Sequence, residues 1–150
     1  MKKIIRFTFI LAIAAMFTGC SKIILENNAP LAGSWVLTDA AQKDAYGWYS
    51  ITTGVESGIF YFYNNGTARY TEGHLTMEGT WTMQSAYGGY YDEYGDYYND
   101  NHKSLTVHLS DYYGGSTINM YFDNVKVYGN SFVATNYKTN YIERYRFSRY

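Results

Sequence analysis

Gly58-Ile59-Phe60-Tyr61-Phe62-Tyr63-Asn64-Asn65-Gly66-Thr67-Ala68-Arg69-Tyr70-Thr71-Glu72 decides the fold class. Aromatic and β-branched residues suit a pleated, half-buried surface, so Gly58 to Asn64 and Thr67 to Glu72 read as two strands. Asn64-Asn65-Gly66 between them is a hairpin signal, because a two-residue type I′ turn needs positive φ at its centre and Asn and Gly tolerate that best. The same pattern continues in both directions. Gly33 to Thr38 precedes it as a first strand, and Leu75 to Gln84 follows. Ser104 to Ser110 alternates Leu105, Val107 and Leu109, and Gly115 to Asp123 alternates Ile118, Met120 and Phe122, which fixes one buried face in each. Val125 to Tyr128 and Phe132 to Thr135 flank the turn Gly129-Asn130-Ser131. In the last strand, Tyr141 to Ser148, the residues Tyr141, Glu143, Tyr145 and Phe147 share one face and Ile142, Arg144 and Arg146 the other. No segment after the N-terminus sustains a helical stripe, although the Ala-rich stretch Thr38 to Ala45 suits one turn of helix. The expectation is all-β, a single antiparallel meander of about eight strands, closed into a barrel or flattened barrel that leaves no exposed edge.

Composition agrees. Nineteen tyrosines, eight phenylalanines and fourteen glycines stand against a single proline, Pro30. Twelve Lys plus Arg face thirteen Asp plus Glu; without Lys2, Lys3 and Arg6 the balance is nine against thirteen, a formal charge of −4. The basic residues are scattered, with a mild cluster only at Arg144, Arg146 and Arg149. A nucleic-acid surface needs a basic patch that releases counterions, so nucleic acid is not an expected partner.

The N-terminus carries a separate message. Lys2, Lys3 and Arg6 precede a run from Phe7 to Phe17 that is apolar except for Thr8, the layout of a signal peptide. That run is too short for a spanning helix, which needs roughly 20 apolar residues. It ends at Phe17-Thr18-Gly19-Cys20, which contains the chain's one cysteine and resembles the lipobox of bacterial lipoproteins, with Phe17 where leucine is usual. The resemblance implies a signal peptide over 1–19, removal of which leaves Cys20 carrying a diacylglyceryl group and a further acyl chain such as palmitate. Residues 20–30 then read as a lipidated tether and 31–150 as the folded domain. Each buried methylene adds about 0.8 kcal/mol, so several chains on one residue hold permanently to a membrane. Ser21 in place of aspartate resembles the pattern that permits transfer to the outer membrane. The absence of an acidic run over Ser21 to Glu26 points to the periplasmic side rather than the cell surface.

Leu31-Ala32-Gly33-Ser34-Trp35, Phe62-Tyr63-Asn64-Asn65-Gly66-Thr67 and Gly79-Thr80-Trp81 together resemble the lipocalin-like domains of small lipoproteins from Gram-negative gut bacteria. The resemblance spans most of residues 31 to 148. It implies a barrel whose narrow end is closed by Gly33 and Trp35 under an arginine of the last strand, Arg144 or Arg146. It also implies a scaffold that binds a small apolar ligand, with Trp48, Tyr49, Phe60, Phe62 and Tyr70 as candidate lumen residues.

The most unusual stretch, Tyr87 to His102, reads as a long loop in which Tyr87, Tyr90, Tyr91, Tyr94, Tyr97 and Tyr98 are interspersed with glycines and with Asp92, Glu93, Asp96 and Asp100. Tyrosines lose little entropy on contact and carry a polar tip, so such a loop suits recognition of a glycan or of another envelope protein. The plainer alternative is a solvated hairpin extension. Its acidic residues do not have the spacing of a calcium loop, and His74, His102 and His108 are too dispersed for a zinc motif. No Gly-x-Ser-x-Gly elbow or phosphate-cradling loop occurs. Glu72 and Glu78 flank His74, which strand-turn charge patterning explains equally well. The expectation is a non-enzymatic lipoprotein without metal or cofactor. It binds a small apolar ligand or a glycan, or else docks on an envelope protein through the tyrosines of 87–102.

Overall fold

A computed structural model describes residues 30–113 and 115–150. The signal peptide over 1–19, the lipid-bearing Cys20 and the tether up to residue 29 lie outside the described residues.

The hairpin that opens the sequence argument forms with a longer turn than the type I′ reading. Gly66 N–H donates to Tyr63 O at 3.0 Å and Tyr63 N–H to Thr67 O at 3.0 Å, with positive φ (82°) at Gly66 and, among the described residues, at no non-glycine residue. That is a three-residue loop in which one glycine takes the left-handed position. The Asn65 side chain accepts from Thr67 N–H at 3.0 Å and fixes it.

The described chain forms ten strands: β1 (Gly33–Asp44), β2 (Gly47–Ser50), β3 (Ile59–Phe62), β4 (Thr67–Glu72), β5 (Leu75–Tyr91), β6 (Tyr97–Ser110), β7 (Thr117–Phe122), β8 (Asn124–Tyr128), β9 (Ser131–Lys138) and β10 (Tyr141–Arg149). They build one antiparallel sheet in the order β7-β6-β5-β4-β3-β1-β10-β9-β8, with β2 hooked onto β1. No ladder joins β7 to β8, so the sheet is open. The two strands at the ends of the path are nevertheless consecutive in the chain, separated by Asp123 alone, and β8 lies against β6.

Successive antiparallel strands send their turns alternately to two ends. One end carries Leu31, the turns 63–66 and 129–130, and the C-terminus. The other carries the loop 51–58 and the turns 73–74, 111–116 and 139–140. Between them the interior is a relay of aromatic rings. Trp35 meets Phe132 edge-on at 4.8 Å, Phe132 stacks on Phe147 at 4.4 Å, Phe147 meets Phe60, and Phe62 leans on Trp81 at 5.1 Å. Both buried indoles find acceptors: Trp35 Nε1 donates to Leu31 O at 2.8 Å and Trp81 Nε1 to Tyr63 O at 2.9 Å.

Several expectations are corrected. Thr38 to Ala45 is not a helical turn: Thr38 to Asp44 belongs to β1 and Ala45 to the turn after it, with Ala40 buried in the core cluster and Ala41 buried outside it. Small residues serve there because both faces of the strand are covered. The arginine over Trp35 is Arg149, its guanidinium 4.1 Å from the ring centre, whereas Arg144 lies over Trp48 at 4.3 Å and Arg146 pairs with Glu93. Arg149 also donates to Ala32 O at 2.7 Å, clamping the chain entry beside Gly33. Trp48 and Tyr49 belong to β2 and are not in the core cluster, while Phe60, Phe62 and Tyr70 are.

Candidate functional site

The long loop expected at 87–102 is an extension of the β5–β6 hairpin. Pairing continues from Met83↔Leu105 to Tyr91↔Tyr97, so only residues 92–96 turn. We call this extension the arm. Gly89 has no room for a side chain, because the Tyr97 ring lies over it. At the tip, Asp92 is buried and its carboxylate accepts from Tyr94 N–H at 2.9 Å and Asp96 N–H at 3.0 Å. The Asp92 carboxylate thus shapes the turn that carries it.

The arm crosses the outer face of three strands in succession, and each donates to one of its carbonyls. Thr135 of β9 donates to Tyr91 O at 2.6 Å, Arg144 of β10 to Glu93 O at 3.1 Å, and Lys43 of β1 to Tyr94 O at 3.1 Å. Glu93 adds its carboxylate, which accepts from the Tyr128 hydroxyl at 2.8 Å and lies 3.6 Å from Arg146. Burial, and then the Glu93 carboxylate, push the Tyr128 hydroxyl up to about 12.

The six tyrosines therefore divide. Tyr90 is buried, stacks on Tyr98 at 5.8 Å and meets His102 at a tilt at 4.5 Å, while Tyr91 stacks on Tyr137 at 4.9 Å. Tyr87, Tyr94 and Tyr97 remain more than half exposed. Elsewhere, Glu78 pairs with Arg69 at 2.8 Å and Glu72 accepts from Tyr70, so the two carboxylates flanking His74 serve different partners.

Apart from Tyr70, sequence reasoning did not bring together the lining of a half-open cleft of about 370 Å³ at the end bearing the 51–58 loop. Thr53 and Val55 form its lip, Tyr70, Glu72 and Met77 one wall, and Met120 and Tyr145 the other. Gly58 lets the loop close on Tyr70, since a methyl there would collide with the ring. The Tyr70 hydroxyl donates to Glu72 at 2.7 Å and the Tyr145 hydroxyl to Glu143 at 3.4 Å. Burial first, then these carboxylates, hold both hydroxyls above the usual tyrosine range. Glu56 sits behind the lip and accepts from Thr53 and Gly54 N–H, which hold its carboxyl below its ordinary value against the opposing effect of burial. The available signal was parity: Met77, Met120 and Tyr145 are inward positions close to the turns of one end.

Scans against protein-family models, curated proteins and solved structures find no match to this chain.

Proposed function

We propose that this chain is a lipid-anchored lipoprotein of the cell envelope, a lipocalin-like barrel that binds a small, largely apolar ligand in the cleft at its open end. Cys20 carries the lipid, the outer membrane is the site of anchoring, and the domain faces the periplasm. The barrel reading draws on two features: β7 and β8 meet at one residue, and Arg149 covers Trp35 at the opposite end from the cleft. The observation that carries the binding reading is the contrast between an interior filled by rings and an end where two methionines, two tyrosines and the Glu72 carboxylate line one cleft. Binding sites combine an apolar concavity with a few convergent polar groups in this way.

Native mass spectrometry of the full chain, extracted from its own envelope in a nonionic detergent, tests the reading. A defined small mass should be retained, and it should be lost when Met77→Trp fills the cleft. A bare protein mass in the unsubstituted chain overturns it. The exposed Tyr87 and Tyr94 favour a second reading, in which the arm docks on another envelope protein. Under that reading the Tyr87→Ser, Tyr94→Ser double variant loses a co-purifying protein and keeps its fold.

A further inference from the structure

We propose that the outer face of the sheet carries a second binding site, a saccharide groove where the tip of the arm meets β8, β9 and β10. It lies towards the end bearing the turn 129–130, opposite the cleft, and does not depend on the binding reading for that cleft. The groove measures about 450 Å³, within the range of small-ligand sites. Glu93 and Tyr94 of the arm form one side, and Tyr128, Ser131, Arg146 and Ser148 form the other. The arm side is set before any ligand arrives, because Arg144 and Lys43 hold the Glu93 and Tyr94 carbonyls.

Arg146 is the side chain that the fold leaves unsatisfied. A guanidinium has five N–H donors in a fixed fork. The Nε of Arg146 is buried without an acceptor, and Glu93 Oε2 stands 3.6 Å from its far nitrogen, so among the described residues this guanidinium donates no hydrogen bond. Arg144 Nε lacks an acceptor too, but that guanidinium lies over Trp48 and its other nitrogens donate to Glu93 O and Asp39. Glu93 Oε1 accepts from the Tyr128 hydroxyl, which leaves Oε2 beside Arg146. The groove therefore presents a donor and an acceptor side by side. Tyr94 and Tyr128 flank them, 65% and 49% exposed, and among the described residues neither packs against another ring. A sugar answers both features. Each hydroxyl of a vicinal diol donates and accepts, and the C–H face of a pyranose lies flat on a tyrosine ring. An anion meets the charge of Glu93 and a cation that of Arg146. An apolar tail covers the guanidinium without giving it an acceptor.

The full chain with ring-13C tyrosine, in a polyoxyethylene detergent that carries no sugar, is titrated with cellobiose, sulfate and capped triglycine. The tripeptide offers donors and acceptors without a pyranose face. The Tyr94 and Tyr128 ring signals should move saturably with cellobiose, at least about tenfold more tightly than with either control. Tyr94→Ala keeps the carbonyl that Lys43 holds and should weaken cellobiose about tenfold, read at Tyr128. Arg146→Lys keeps the charge beside Glu93 but loses the fork, and should weaken it by a similar factor. Met77→Trp in the opposite cleft should leave both ring signals and their response to cellobiose unchanged, so the two sites are tested separately. Sulfate or triglycine binding as tightly as cellobiose, rings that do not respond to cellobiose, or unchanged affinity in either groove variant overturns the inference.

Discussion

The interior of the sheet and the contact beneath the arm both bury aromatic and aliphatic side chains, but they are held by different means. Inside, rings touch rings around Phe60, Phe132 and Phe147, and both indole N–H groups have backbone acceptors. Under the arm the buried apolar residues outside the core cluster are few, Ala41, Val133 and Ile142 among them, and the polar anchors are one carbonyl per strand plus Glu93. Area stabilises the first layer, whereas a few directional bonds hold the second. A layer of the second kind opens locally at a free energy below that of global unfolding.

Four experiments probe that contrast, from the largest expected effect to the smallest. Trp81→Ala removes a ring from the interior and its bond to Tyr63, and should cost about 4 kcal/mol in denaturant unfolding. A loss below about 1 kcal/mol would mean that the interior is not the main source of stability. Glu93→Ala leaves Tyr128 and Arg146 without their partner and should cost about 2 kcal/mol. Hydrogen exchange should rise over residues 90–98 and not in β3 or β4; a uniform rise would make arm and interior one cooperative unit. Arg149→Ala uncovers Trp35 and should cost about 1 kcal/mol, with no change in exchange at the arm.

The smallest effect concerns Tyr128. Its folded-state hydroxyl, pushed up to about 12 from an ordinary value near 10, holds its proton more tightly than the unfolded chain does. The stability it lends is complete below about pH 10 and is lost as pH rises towards 12. In a spectrophotometric titration Tyr128→Phe should delete one phenol from the region near pH 12. Deletion near pH 10 instead would show that the Glu93 contact is open in solution.

Much of the sheet was legible in the sequence because strand alternation and turn chemistry are local. Thr67 to Glu72 forms β4 as read, and the inward sets Leu105, Val107, Leu109 and Ile118, Phe122 are buried. What escaped was long-range. The arm looked like a loop because glycine and aspartate weaken strand propensity, yet cross-strand pairs such as Tyr90↔Tyr98 and Tyr91↔Tyr97 zip it up. Ala40 and Ala41 looked helical because nothing local announces that two layers press on one strand. The arginine over Trp35 was sought three to five residues too early, since the register Trp35↔Arg149 depends on the irregularity between Leu37 and Asp39. Of the cleft, Tyr70 was named among the candidate lumen residues, and Glu72 was noticed only as a neighbour of His74. Its far wall of Met120 and Tyr145 comes from strands β7 and β10, which only the curl of the sheet brings together.

The clamp at the chain entry also sets an orientation. Arg149 reaches Pro30 and Ala32 at the end of the sheet that Trp35 fills, and the cleft opens at the other end. If the lipid sits on Cys20 as proposed, ten residues of backbone allow a stand-off of no more than about 35 Å, whatever path they take. The molecule is then leashed by its sealed pole. The cleft lies at the pole opposite the leash, so under that reading a ligand reaches it without passing the tethered end.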